Sequence, residues 1–316
     1  MLRANHAVRL GLRAASRNPE LAFGKALLDE GGSLLALLPV GLAALLFLGA
    51  ARRNLVQALL ATLALGWTAA CGMAVALVIA FTVSMLFWAG AVPVLAADAE
   101  LGRRPPAGNF LLLLSRGAAR VMAAGLLGFC LSLLVALSCG VALTAAAPLL
   151  IMRPSVLLFC LVALAGAGAV LGSVLLDLLA RLTLVRAAAF GDGVTAAFGK
   201  AASLLAARLG GCLLITGAFL LLELIAATVA GMLTGLLPGF LDPKGQLMAL
   251  GPRLAVSLAA AAVFAWLEVA RMGALAALAA DAEGLIDSRE PESPPIAEVV
   301  VEALPVDDSL NLSELP

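Results

Sequence analysis

The residues of this chain best placed to do chemistry are ionisable groups set inside long apolar runs. Glu223 stands out, with fourteen uncharged residues before it and eighteen after. Glu268 and Arg271 lie three apart within another such run, and Asp177 and Arg181 lie four apart at the end of a third, so each pair shares one helical face. A charge surrounded by lipid is costly unless it is paired or loses its ionisation, which confines such residues to a bundle interior or a cavity. Asp177 with Arg181, and Glu268 with Arg271, read first as pairs that satisfy each other. Glu223 has only Phe219, Leu220, Ala226 and Ala227 as neighbours three and four residues away. Its partner has to come from another helix, from cavity water or from a retained proton.

Other chemistries lack their parts. His6 is the only histidine, so paired-histidine metal sites and a serine-histidine pair have no basis. Cys71, Cys130, Cys139, Cys160 and Cys212 contain no CxxC pair and read as small apolar packing residues. Gly166, Gly168 and Gly172 sit in an apolar run and miss the dinucleotide-loop spacing. Gly168 with Gly172, and Gly231 with Gly235, instead have the GxxxG spacing that lets helix backbones approach closely. Ala189-Phe190-Gly191-Asp192 falls one residue short of the glycine-aspartate motif of intramembrane aspartyl proteases, whose tyrosine-aspartate partner is impossible in a chain without Tyr. No catalytic, cofactor-binding or metal-binding residue is assigned, and the chain is expected not to be an enzyme.

The elements that position these residues follow from composition. Hydrophobic residues make up 63% and charged residues 13% of the 316, with a mean hydropathy of +1.10, which excludes an ordinary soluble domain. Ala, Leu and Gly fill runs of twenty residues and more, so helices rather than a barrel satisfy the backbone in lipid. The fold class expected is all-α, an integral membrane bundle with six spans at about 32–50, 67–97, 121–150, 155–180, 209–237 and 254–280. Arg3, Arg9, Arg13, Arg17 and Lys25 precede the first apolar run, which marks it as a retained span rather than a secretory signal. The uncharged stretch 54–97 is too long for one crossing. Its first part, 54–65, is expected to be interfacial or re-entrant, with Trp67 and Trp88 at the two aromatic belts. The alternative is seven spans with a turn near Cys71 and Gly72. Six spans with the N-terminus inside put fifteen of the twenty Lys and Arg residues on the cytoplasmic side, as the positive-inside rule favours. Both termini are therefore expected in the cytoplasm, in a bacterial inner membrane.

An internal repeat is also legible. Leu95-Ala96-Ala97-Asp98-Ala99-Glu100 recurs as residues 278–283, and Ala22-Phe23-Gly24-Lys25-Ala26 recurs as residues 197–201. The implied unit is a cytoplasmic surface helix followed by an outward and an inward span, used three times, with surface helices beginning near the N-terminus, Asn109 and Asp192. Asn18-Pro19-Glu20 reads as an N-cap, a first helical position and a dipole-matched carboxylate. Arg9, Arg13 and Arg17, and again Arg116 and Arg120, share a helical face at four-residue spacing and suit anionic headgroups as well as simple topology anchoring. The segment 286–316 holds eight acids, one Arg and five prolines, the composition of a disordered tail, and its charge offsets the +7 of the body.

In its layout, with the Arg17-Asn18-Pro19 entry and the Ala-Phe-Gly-Lys-Ala helix before a span, the chain resembles poorly characterised bacterial six-span membrane families. These include the membrane domain attached to some glycerophosphodiester phosphodiesterases. The resemblance implies the fold and carries no catalytic residue. The function expected is a membrane protein that organises or binds lipids, or partner proteins through its surface helices or tail, without a nucleic-acid partner. The alternative is a transporter or channel for a small solute or lipid using Glu223 in an internal cavity.

Overall fold

In the computed structural model, residues 3–51, 55–101, 109–152, 156–236 and 243–286 are described, and among them there are eight helices and no strand. They are α1 (Ala4–Arg17), α2 (Pro19–Ala51), α3 (Leu55–Leu101), α4 (Asn109–Met152), α5 (Val156–Ala189), α6 (Val194–Ala207), α7 (Leu209–Leu236) and α8 (Pro243–Ala282). Six stretches are long and apolar enough to cross a membrane: Pro19–Ala44, Gly66–Ala99, Phe110–Val141, Phe159–Ala189, Leu209–Leu236 and Gly251–Ala282. The chain is thus an all-helical, multi-pass membrane protein. Residues 1–286 form one compact unit, and the acidic segment 287–316 lies outside the described residues.

Consecutive long helices pair as α2/α3, α4/α5 and α7/α8, and α3, α5 and α8 also touch one another at the centre. The α2/α3 pair is antiparallel: Gly24 faces Phe87, Gly32 faces Ala80, and Pro39 faces Gly72. Tight packing is concentrated at one end, in Phe87 to Ala96 of α3, Leu178 to Ala187 of α5 and Ala265 to Ala280 of α8. On the opposite halves large apolar residues such as Leu37, Val78, Leu134, Leu164 and Leu258 are exposed, a surface that only hydrocarbon can cover favourably. Helix α1 joins the packed end. Its buried stripe Ala7, Gly11, Ala14 and Ala15 docks on α8, where a Cβ at Gly11 would sit 2.7 Å from the Ala274 nitrogen.

This arrangement corrects several expectations. Helix α3 runs unbroken from Leu55 to Leu101, so 55–65 is not a re-entrant piece and no turn interrupts the helix at Cys71 or Gly72, while the stretch apolar enough to cross a membrane begins at Gly66. At 1.5 Å per residue its 47 residues reach about 70 Å. The excess length needs no break because residues past Phe87 belong to the packed end. Trp88 is accordingly a core residue, 4% exposed and edge-on to Phe87, while Trp67 is exposed. The second surface segment is continuous with its span in α4, and no atom of a neighbouring helix lies within 4 Å of a Cβ at Gly168, Gly172, Gly231 or Gly235. Among the described residues those glycines meet no neighbouring helix. Of the cysteines only Cys212 is buried; Cys71, Cys130 and Cys160 are exposed, because their faces of α3, α4 and α5 point away from the centre.

Candidate functional site

Where the packed end meets the exposed apolar halves, four helices bring ionisable side chains to one level. Lys25 on α2 binds Asp29 one turn on and reaches Glu268 Oε2 on α8 at 2.7 Å. Arg181 on α5 holds Asp177 at 2.9 Å and Glu268 Oε1 at 3.4 Å. Arg271 on α8 ends the chain of contacts, its Nη2 2.9 Å from Asp177 Oδ2. Glu223 on α7 is half-buried on the side that carries Phe219 and Ala226, and its charge acts on Arg271. Three carboxylates, Asp29, Asp177 and Glu268, balance Lys25, Arg181 and Arg271, and Glu223 is a fourth carboxyl group without a counterpart among these cations.

Sequence spacing found the Asp177–Arg181 pair together with Glu223, Glu268 and Arg271, but not their wiring. Among the described residues Glu268 and Arg271 form no direct ion pair with each other; the direct contacts of each are to side chains on other helices, Lys25 and Arg181 for Glu268 and Asp177 for Arg271. Lys25 and Asp29 were not singled out as site residues. Their signal was a four-residue Lys-Asp spacing just before an apolar run. The cations are held deepest: the Lys25 and Arg271 side chains are 5% and 6% exposed, against 49% and 44% for Asp29 and Asp177. Among the described residues Arg271 Nε and Thr216 Oγ1 are buried without a hydrogen-bond partner.

A cavity of about 260 Å³ between α3, α4, α5 and α8 opens onto this cluster, with Ser84, Ser132, Asp177, Arg181 and Glu268 in its wall and Trp88 beside them. A second, larger space of about 710 Å³ lies between α2, α3 and α4, lined by Leu28, Asp29, Ser33, Thr82, Met122 and Leu126 among others. The two share Phe81, Ser84, Met85 and Phe129 as a common wall. Met85, a flexible side chain lying against Gly125, is part of that partition. The arrangement is amphipathic: an apolar groove among span residues, with charged and hydroxyl groups at its inner end. Glu223 lines neither space. A separate groove between α7 and α8, about 510 Å³, is apolar and is lined from Ala226 onward.

The basic faces divide as well. Arg9, Arg13 and Arg116 are exposed, whereas Arg17 turns inward to Asp98 on α3 at 3.5 Å and Arg120 donates to the Gly191 carbonyl in the α5–α6 turn. Gly191 has a φ of +69°, which glycine alone adopts without strain. Next to it, Asp192 joins Arg186 at 2.9 Å and Lys200 at 2.8 Å, and Arg186 also binds Glu283 at the end of α8. Burial alone would raise the Asp192 carboxyl, but hydrogen bonds from Lys200 and Arg186 outweigh it and hold the group below its ordinary value. Asn18 follows α1 and precedes α2, and its side chain donates back to the Ala14 carbonyl at 2.8 Å instead of capping α2. The two copies of the repeated hexapeptide end α3 and α8, and the aspartate of each takes an arginine from the end of a short helix, Arg17 for Asp98 and Arg208 for Asp281.

No family model matches this chain, and no curated protein or solved structure is significantly similar to it. Among the described residues no group of three His, Cys, Asp or Glu side chains is placed to hold a metal ion.

Proposed function

We propose that the chain is a non-enzymatic protein of a bacterial inner membrane that binds membrane lipid at the cytoplasmic face. The observation that carries this reading is the apolar groove between α2, α3 and α4 lying against a cavity walled by Asp177, Arg181 and Glu268. Its volume falls in the range of ligand sites, and its apolar body with a few convergent polar groups is their usual composition. The packed, charged end faces the cytoplasm in this reading, with both termini on that side, as the fifteen-to-five distribution of Lys and Arg supports. Exposed Arg9, Arg13 and Arg116 then meet anionic headgroups around the protein. The matched Arg17–Asp98 and Arg208–Asp281 pairs support a true internal repeat, and the acidic tail offers a docking segment for a protein partner. Placement of the polar cavity away from Glu223 favours lipid binding over solute transport through that residue.

The test is lipid retention. Protein extracted in mild detergent is expected to carry lipid detectable by native mass spectrometry, and Ala36→Trp, which fills the groove, is expected to lose most of it. A wild-type protein that carries no lipid overturns the reading.

A further inference from the structure

We infer that the groove takes a membrane lipid whose headgroup bears a primary ammonium, a phosphatidylethanolamine-type lipid, with the ammonium held by the Asp29 carboxylate in the groove wall. The inference rests on the lipid-binding reading and adds the chemistry of the head.

The charges are layered. Lys25 and Arg271 are nearly fully buried behind the walls, while the two carboxylates they hold are about half exposed, so the groove and cavity present negative oxygen at their surface. Asp29 lines the groove, and Asp177 and Glu268 line the cavity; of the three buried cations only Arg181 reaches a wall. An anionic head would meet this surface against like charge. A trimethylated head brings the right charge but no N–H, and leaves the carboxylates without the charge-assisted hydrogen bonds that a primary ammonium donates. In a low-dielectric setting those hydrogen bonds are strong, and the hydroxyls of Ser84 and Ser132 remain for the ester and phosphate oxygens. Arg181, a quarter exposed, is the one wall cation available to a phosphate. The span residues Leu28, Met122 and Leu126 supply the apolar surface for the acyl chains.

The experiment uses the full-length wild-type protein in nanodiscs containing equal parts of phosphatidylethanolamine, its N-methyl and N,N-dimethyl derivatives, phosphatidylcholine and phosphatidylglycerol. Lipid retained after release into detergent is read by native mass spectrometry. Retention is expected to fall stepwise with each added methyl, by about tenfold across the series, with phosphatidylglycerol at or below phosphatidylcholine. Asp29→Asn, at a half-exposed position, is expected to flatten the series, and a series that stays as steep as in the wild type overturns the assignment of Asp29. Equal retention across the series, or preference for the choline or anionic lipid, overturns the headgroup assignment and leaves lipid binding standing. No retained lipid of any kind removes both.

Discussion

Lys25 Nζ on α2 lies 2.7 Å from Glu268 Oε2 on α8, and the pair ties the first span of the chain to the last. The lysine is 5% exposed, stacks its charge 5.8 Å from the Trp88 ring and also holds Asp29. Removing one partner of such a pair leaves a buried charge uncompensated, which costs about 3–5 kcal/mol, whereas removing both replaces the charges by packing. Lys25→Met is therefore expected to destabilise the protein strongly in detergent, and Lys25→Met with Glu268→Met to cost clearly less than the two single changes combined. Additive losses in thermal melts show that the pair is not coupled.

Gly11 is the second point of attachment. The Ala270 carbonyl and the Ala274 nitrogen, both backbone atoms, occupy the space that a side chain at Gly11 would fill. Helix α1 is bound to α8 by this close approach of small residues, so Gly11→Val is expected to undock α1 and cost about 1–3 kcal/mol, the usual penalty of overpacking. Faster hydrogen exchange across Ala4–Arg17, with α4 and α5 unchanged, is the expected readout; unchanged exchange in α1 contradicts it.

What the sequence made legible follows the strength of the physical signal. Hydrocarbon demands long apolar runs, so the six crossings and the residues that interrupt them can be read directly, and Asp177 with Arg181 follows from helical spacing alone. Contacts between distant segments leave no such period. The partners of Glu268 lie on α2 and α5, and nothing local in the sequence around it names them. Trp88 looked like a belt residue because a span was assumed to end at the membrane surface, whereas α3 continues into the packed end. The docking of α1 had a signal, the small residues Ala7, Gly11, Ala14 and Ala15 on one face, that its arginine face overshadowed.

The orientation can be checked directly. Single cysteines at Arg9 and Arg116, both exposed, are expected to react with an impermeant reagent only from the cytoplasm, and one at Gly245 only from the periplasm. Labelling of Gly245 from the cytoplasm alone contradicts a six-span layout with its N-terminus inside.

Asp192 sets an acid limit. Its pKa is held below the ordinary 3.8, so the folded form binds its proton less readily than the unfolded chain. The stabilisation is complete above the unfolded value and is lost as the pH falls through the lower folded one. Asp192→Asn is expected to flatten the acid limb of the stability curve below about pH 4. An identical limb in both proteins shows that Arg186 and Lys200 do not depend on this carboxylate.

Glu223 tests how the cluster is balanced. Three cations, Lys25, Arg181 and Arg271, face Asp29, Asp177 and Glu268 through direct contacts, while Glu223 acts on Arg271 from α7 beside the Asp177 contact that Arg271 already makes. Replacing Glu223 by Gln keeps its shape and removes the surplus charge, so the six remaining groups are neutral together. Asp177→Asn instead takes the acceptor that Arg181 and Arg271 share, leaving the two cations against Glu268 and Glu223 without a direct acceptor for Arg271. Loss of this acceptor is costly because the charge left on the buried Arg271 cannot readily be rehydrated. Glu223→Gln is therefore expected to leave the melting temperature unchanged or slightly raised, and Asp177→Asn to lower it by several degrees in the same detergent. The opposite order shows that Glu223, not Asp177, is the carboxylate on which Arg271 depends, and returns Glu223 to the centre of the site.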